Sequence, residues 1–326
     1  MIKFPRNILE FQRDFATEES CARYLIGIRW PEGFRCIHCN QGDKGFWFTR
    51  KFRVIICKKC RNMISITAGT VMHNTRQTMQ KWLWAAYLVS TDTTGFSAVQ
   101  LQRQLGLKRY ETAFQMLHKF RSAMVRPERD KLSGVMEVDE TLVGGKRAGR
   151  PGRGALGKSL VVVAVSLKRN PKIRAHPRSQ IIAGRIRLRH IPNATAKTLS
   201  TFVKDHVEKG SEIRTDGWTG YSALSKQGYK HFPSIEGTVE RAAEILPHIH
   251  IVFSNLKSWL LGTHHGVSRK HLQAYLNEFA FRFNRRRKPM KAFQSLLGLV
   301  EREDWPTYKD IYAKKEAEKW EHVGGV

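Results

Sequence analysis

Acidic residues are scarce in this chain: 28 Asp and Glu stand against 57 Lys and Arg, a formal net charge of +29. Between Gly144 and His190 they are missing altogether, while thirteen Lys or Arg fall in the same span. A charge run by default marks a solvated face, but an imbalance this large repels itself unless a polyanion neutralises it, so the expected partner is nucleic acid. Long apolar runs are missing too. No stretch approaches the ~18 apolar residues that a spanning helix needs, and MIKFPRNILEFQRDF at the start lacks the apolar core of a secretory leader. The expectation is a soluble, cytoplasmic protein. Cysteine is rare, five in 326 residues, which excludes a scaffold held by disulfides. With 41% hydrophobic and 10% aromatic residues, the rest is ordinary globular composition, long enough for two or three domains at about 150 residues each.

Four of the five cysteines form two close pairs. Cys36-Ile-His-Cys39 and Cys57-Lys-Lys-Cys60 are C-x2-C knuckles with 17 residues between them, the ligand type and spacing of a four-thiolate zinc site. The alternating stretch GFWFTRKFRVIIC reads as a hairpin that returns the second knuckle to the first. Lys and Arg around both pairs argue against four unrelated thiols in an apolar core. The expected unit is a zinc ribbon with Zn²⁺ on Cys36, Cys39, Cys57 and Cys60. Cys21 lies in the helical stretch EESCARYLIGIRW and is expected to be a small buried hydrophobe.

Beyond the ribbon the periodicity is helical. Met79, Trp82, Leu83, Ala86 and Tyr87 recur on one face. A short helix opens at Gly95-Phe96-Ser97 and ends at Gly106, and a second runs from Tyr110 to Met124. Two short helices joined by a glycine-containing turn fit a helix-turn-helix, with Arg103, Lys108, Arg109 and Lys119 as candidate DNA contacts, and fit an ordinary packed hairpin equally well. From Met136 the pattern becomes that of strands: VMEVDETLV, LVVVAVSL and QIIAGRIRLRHI. The Gly- and Arg-rich loop after the first holds Lys146, Arg147, Arg150, Arg153 and Lys158, expected phosphate contacts.

Two carboxylates stand out against this basic background. Asp139 is expected at the end of the first of these strands, a central one, and Asp216 at the end of a later short strand in SEIRTDGWTGY, just before Gly217. Carboxylates at strand ends of one sheet can share divalent ions; each Asp alone also fits a turn-capping role. Three strands, a helix, a strand ending in a carboxylate, a further short strand (YKHFPS) and a long helix make the element order of a ribonuclease-H-like domain.

The ribbon cysteines, QLQRQLGLKRYETAFQMLHKFRSAM, MEVDETLVGGK, RTDGWTGYSAL and LKSWLLGTHHGVSRKHLQAYLNEFAFRFNRRR occur in an order that resembles bacterial insertion-sequence transposases of the DDE class, the subgroup with an N-terminal zinc ribbon and helix-turn-helix. The resemblance covers nearly the whole chain. It implies an α/β multi-domain protein: a zinc-ribbon region over 1–75, a helix-turn-helix region over 76–130, a ribonuclease-H-like mixed-sheet catalytic domain over 131–300 and a tail over 301–326. It also implies a third metal-binding residue on a helix, seven positions before a Lys. Lys257 puts that position at His250, 33 residues beyond Asp216 by intervening count, where the family usually has Glu. Ile249, Val252, Phe253, Leu256 and Leu260 would form the buried stripe of that helix, with His250, Ser254 and Lys257 on its flank. Glu240 and Glu244, 23 and 27 residues beyond Asp216, rank below His250 because neither has a Lys at that offset.

The activity that the resemblance implies is DNA strand transfer with Mg²⁺ or Mn²⁺. Asp139 would bridge two ions, Asp216 and His250 would each hold one side, and Lys257 would hold a phosphate of the element's terminal DNA. An imidazole in place of a carboxylate favours Mn²⁺ over Mg²⁺. The partner would be double-stranded DNA, both element ends and target, bound by a homo-oligomer. The competing reading is a repurposed zinc-ribbon and helix-turn-helix DNA-binding protein with an inactive catalytic domain. A third reading, an RNA-binding zinc-ribbon protein, lacks interleaved aromatics in the basic stretch.

Overall fold

The computed structural model describes residues 5, 7–42, 44–125, 129–144, 158–170, 180–234, 245–287, 290–297, 306 and 308–312. It divides into two compact units, Met1–Met124 with Lys288–Ala313, and Val125–Arg287 with Lys314–Val326.

The first unit begins with α1 (Ile8–Asp14) and α2 (Glu18–Arg29), each started by a polar side chain that satisfies a free N–H. Asn7 accepts from Glu10, and Thr17 and Ser20 form a reciprocal capping box. Cys21 is buried in α2, as its apolar neighbours require. A three-stranded antiparallel sheet follows: β1 (Phe46–Phe48), β2 (Val54–Cys57) and β3 (Met63–Ser65). The hairpin between the knuckles is present and gains a third strand, too short to show a period. Three helices complete the run: α3 (Met79–Thr91), α4 (Ala98–Gln104) and α5 (Tyr110–Ala123). Gly106, at φ +56°, supplies the left-handed turn between α4 and α5. A helix from much later in the chain, Met290–Leu296, belongs to this unit. Its Phe293 is fully buried and meets the rings of Phe11, Phe15 and Tyr24 at 6.2, 6.5 and 6.3 Å. The sequence-based cut at residue 300 therefore differs from the observed division, because Ala292, Phe293, Leu296 and Leu297 bury their apolar side chains in the first unit.

The second unit is built on a five-stranded sheet of order β6-β5-β4-β7-β8. β4 (Val135–Val143), β5 (Ser159–Arg169) and β6 (Ile181–Ile191) form an antiparallel meander. After α6 (Ala196–His206), β7 (Glu212–Asp216) enters parallel to β4, and β8 (Lys230–Ser234) lies parallel to β7. α7 (Pro247–His264) and α8 (Leu272–Arg285) then cover the face opposite α6. β4 and β5 are thus covered on both sides. Val161, Val163 and Val165 of β5 pack under α7 and α8, while Val162 and Ala164 pack under α6 with Met136 and Val138. By register, Glu137, Asp139 and Thr141 stand opposite Val165, Val163 and Val161, so three polar side chains of β4 share the α7 face.

The outer edge of β6 is protected by side-chain amides. Ile186 N–H donates to Asn284 Oδ1 (2.7 Å) and Asn284 Nδ2 donates to the Ile186 carbonyl (3.2 Å). His190 N–H donates to Gln273 Oε1 (2.9 Å), Gln273 Nε2 reaches the Leu188 carbonyl, and Arg286 donates to the carbonyls of Ala183 and Gly184. Each carboxamide presents the donor and acceptor of a missing strand, which blunts an edge open to pairing with another chain.

Candidate zinc knuckles and carboxylate site

The two knuckles repeat one backbone form. Asn40 and Arg61, each following the second cysteine of its pair, adopt left-handed φ of 53° and 62°. Their N–H groups donate to the carbonyls of Cys36 and Cys57 (2.8 and 3.0 Å), and the N–H groups of Cys36 and Cys57 donate to the carbonyls of Gln41 and Asn62 (3.1 Å each). This folding turns both sulfurs of each pair inward. All four Sγ atoms lie within 4.8 Å of one another, with Cys36 to Cys60 at 3.6 Å and Cys39 to Cys57 at 3.9 Å. A tetrahedron with metal–sulfur bonds of about 2.3 Å has edges of about 3.8 Å, so the spacing suits Zn²⁺ and is far too wide for a disulfide. The N–H groups of Cys60 and Lys59 lower the Cys57 thiol to about 7. Cys39 goes the other way: although the Gln41 N–H favours its thiolate, burial and the three neighbouring sulfurs hold it up to about 11. Four thiols this close cannot all ionise without a cation among them.

In the second unit, β4 pairs with β7 as Val135 with Glu212, Met136 with Ile213 and Glu137 with Arg214. The same register continued by two residues sets Asp139 abreast of Asp216 on adjacent parallel strands. Asp139 is 9% exposed and accepts the Glu140 N–H at 2.6 Å; Asp216 accepts the Trp218 N–H at 3.3 Å. The Tyr221 hydroxyl, fully buried, donates to Glu140 Oε2 at 2.7 Å. Its pKa is pushed well above the ordinary phenol value by burial first and then by the carboxylates of Glu140, Asp139 and Asp216. One phenol therefore senses all three acids. Lys257 senses Asp139 as well: burial and Lys158 lower its pKa, and Asp139 opposes them.

The buried stripe of α7 is Ile249, Val252, Phe253, Leu256 and Leu260, as the periodicity requires. His250 is half-buried on its flank, edge-on to Phe253 at 5.7 Å. Among the described residues, the cysteine quartet is the one group of three or more His, Cys, Asp or Glu drawn within 4.8 Å. Asp139, Asp216 and His250 share a sheet face and its covering helix without closing to that distance. Two hard carboxylates and one imidazole suit Mn²⁺ or Mg²⁺ rather than a thiophilic metal.

A contact that the sequence reading missed fastens α7 to β4. Glu137, 2% exposed, accepts the Ile249 N–H (2.7 Å) and faces His248 Nδ1 (2.9 Å), while His248 Nε2 meets the Ile181 carbonyl (3.1 Å). Ile249 is the third residue of α7, so its N–H is among those the helix leaves unsatisfied, and a carboxylate there also meets the positive end of the helix. The Glu137 bond is the principal cause of a raised His248 pKa. The available signal was a pair of acids at alternate positions, Glu137 and Asp139, interleaved with the apolar Met136 and Val138.

Of the candidate DNA contacts, Arg103, Lys108 and Arg109 are exposed around the α4–α5 turn. Lys119 is partly withdrawn: its ammonium donates to the His73 carbonyl (2.6 Å), and burial lowers its pKa to about 8. Lys158 is half-buried at the start of β5. Lys146, Arg147, Arg150, Arg153, Glu240 and Glu244 lie outside the described residues.

Comparison with known proteins matches a domain in each region. Residues 16–63 match the transposase zinc-ribbon domain, and residues 131–284 match the ISXO2-like transposase domain. The chain belongs to the insertion-sequence transposases of the DDE class that carry a zinc ribbon. An uncharacterized protein in transposable element ISH50 of Halobacterium salinarum is 26% identical over 297 residues, 86% of this chain and 95% of that protein. A chain of a simian T-cell lymphotropic virus intasome, solved with PP2A regulatory subunit B56 gamma, aligns over 61% of this chain and 67% of its own. Its identity is 13% and its TM-score 0.28, too low to establish a common fold. Among the described residues, no helix is long and apolar enough to cross a membrane.

Proposed function

We propose that this transposase cleaves and joins DNA strands at the ends of an insertion sequence, using a divalent metal held by Asp139, Asp216 and His250 in a ribonuclease-H-like second unit. The observation that carries the reading is the β4–β7 register, which brings two carboxylates 77 positions apart to the same level of one sheet. When bound, the ions activate the attacking oxygen and stabilise the leaving one. The residues of the chain supply the rest. β4 and β7 hold Asp139 and Asp216 as rigid ligands, and α7 carries His250. Lys257, beside Asp139, offers an ammonium to a DNA phosphate. The α4–α5 pair acts as the helix-turn-helix, with Arg103, Lys108 and Arg109 on phosphates, and the basic stretch through Lys158 adds further contacts. The partner is double-stranded DNA, terminal repeats and target alike, bound by an oligomer of this chain in the cytoplasm.

The test is cleavage of DNA carrying the element's ends, with Mn²⁺ and with Mg²⁺. Asp139→Asn, Asp216→Asn and His250→Ala should each abolish cleavage and leave end binding intact. His250→Glu should keep activity or move the preference towards Mg²⁺, because a carboxylate suits that ion better than imidazole. Cleavage that survives His250→Ala would transfer the third position to Glu240 or Glu244. The second reading, a DNA-binding protein with an inactive catalytic unit, is favoured by His250 itself, and end binding with no metal-dependent cleavage would establish it.

A further inference from the structure

Trp218 is exposed where its chemistry favours burial. Indole is among the largest apolar groups, yet Trp218 stands 36% exposed, between exposed Gly217 and Thr219. Its position is nevertheless fixed. Nε1 donates to the Ala194 carbonyl at 3.0 Å, in the connection that leads into α6, and the backbone N–H donates to Asp216 Oδ1 at 3.3 Å. Residue 220 is confined to glycine by the same ring: a Cβ there would stand 2.6 Å from the indole Nε1, 2.8 Å from Cδ1 and 2.9 Å from the Ala194 carbonyl oxygen. A backbone without a side chain thus lets the indole lie against it.

These constraints narrow what the ring can recognise. Its donor is committed, so it cannot read a base edge by hydrogen bonding, and it carries no charge for a phosphate. The exposed part of the ring is π surface held in one orientation, on which the face of any base can stack. The location selects the ligand. Trp218 is two residues beyond Asp216 and tied to that carboxylate by its own N–H. The exposed Lys197 stands in the first turn of α6, three residues beyond Ala194. We infer that Trp218 is a stacking platform for one unpaired nucleobase of the DNA strand whose phosphate is presented to Asp139 and Asp216. A ring fixed before the ligand arrives has little freedom left to lose on binding, and a base held there sets the register of the strand at the carboxylates.

The inference rests on the reading of the second unit as a DNA strand-processing site, and the test separates the two. The probe is a duplex with a short unpaired 3′ end carrying 5-iododeoxyuridine, bound to the full chain at low salt and irradiated to crosslink the base to an aromatic in contact with it. The expected adduct is on Trp218. Trp218→Leu should remove that adduct and bind the unpaired end about tenfold more weakly, while Trp218→Tyr, which keeps an aromatic face, should retain most of the affinity. Fully duplex DNA should show no such difference among the three proteins, which also guards against a folding defect in either variant. Equal affinity of wild type and Trp218→Leu for the unpaired end, or adducts elsewhere with none on Trp218, overturns the platform and leaves the transposase reading standing. A wild-type chain that binds neither probe overturns both.

Discussion

Replacing Glu137 with alanine tests how α7 is held on the sheet. The carboxylate is buried and accepts from the Ile249 N–H at 2.7 Å, with His248 Nδ1 at 2.9 Å. Truncation leaves a helix-terminal N–H and a half-buried imidazole without their acceptor. Breaking a fully buried charge pair costs about 3–5 kcal/mol. The His248 side chain is 16% exposed, so water recovers part of that loss and the lower end, about 3 kcal/mol, is the expected value. In a unit of this size that is a fall in Tm of roughly 6–12 °C. The effect should depend on pH in a definite direction. Glu137 raises the pKa of His248, so the folded state binds that proton more tightly than the unfolded chain does. The contribution is therefore complete below the unfolded histidine value of about 6.5 and is lost as pH rises through the raised folded value. Thermal unfolding of both proteins between about pH 5.5 and pH 8.5 should show the gap narrowing as pH rises, over the range in which histidine loses its proton. Hydrogen exchange at Ile249 should report the same opening locally. If Glu137→Ala melts with the wild type and the Ile249 amide exchanges no faster, the carboxylate does not anchor the helix.

Metal analysis of the purified chain should find one zinc per chain, and Cys57→Ser should lose it together with the protection of β1–β3 against proteolysis, since a sheet this short draws most of its stability from the ion. Four freely reactive thiols in the native protein would contradict this. Asn284→Leu should destabilise the second unit by about 1–3 kcal/mol and promote association, because it leaves Ile186 N–H and C=O unpaired on an edge strand; an unchanged melting curve and a monodisperse sample would show the edge needs no cover. Duplex binding should weaken steeply with salt, and neutralising Arg147, Arg150 and Arg153 should flatten the slope of log affinity against log salt by about 3 if each meets one phosphate. An identical slope would remove that loop from the interface.

The parts of this protein that are legible in its sequence are those whose information is local. Two C-x2-C pairs announce a metal site because each knuckle is four residues long, and short runs rich in valine announce β4 and β5 before any partner is known. Contacts set by register or by distant packing leave no such mark. That Asp139 stands level with Asp216 depends on how β7 slides against β4, and neither segment records the offset. Lys119 reads as a DNA contact by position on α5, but tertiary packing turns its ammonium to the His73 carbonyl. Phe293 reads as part of the catalytic region by proximity in sequence, but its partners are Phe11, Phe15 and Tyr24.

β4 shows how the two kinds of information combine. A strand covered on both faces by helices should be apolar throughout, since an unsatisfied buried polar group costs about 1–3 kcal/mol. β4 breaks that expectation at Glu137, Asp139 and Thr141 on one face and at the half-buried Glu140 on the other, where Met136 and Val138 obey it. A polar residue persists in such a place only where something offsets its desolvation. For Glu137 the compensation is visible in the first turn of α7. For Asp139 the Glu140 N–H at 2.6 Å satisfies one oxygen, and the register sets it level with Asp216, where the divalent ion of the proposed function would offset the repulsion of two carboxylates. Two acids of a single strand thus take different parts: Glu137, whose partners belong to the fold, holds the helix, and Asp139, level with a second carboxylate, is the residue we propose as a ligand.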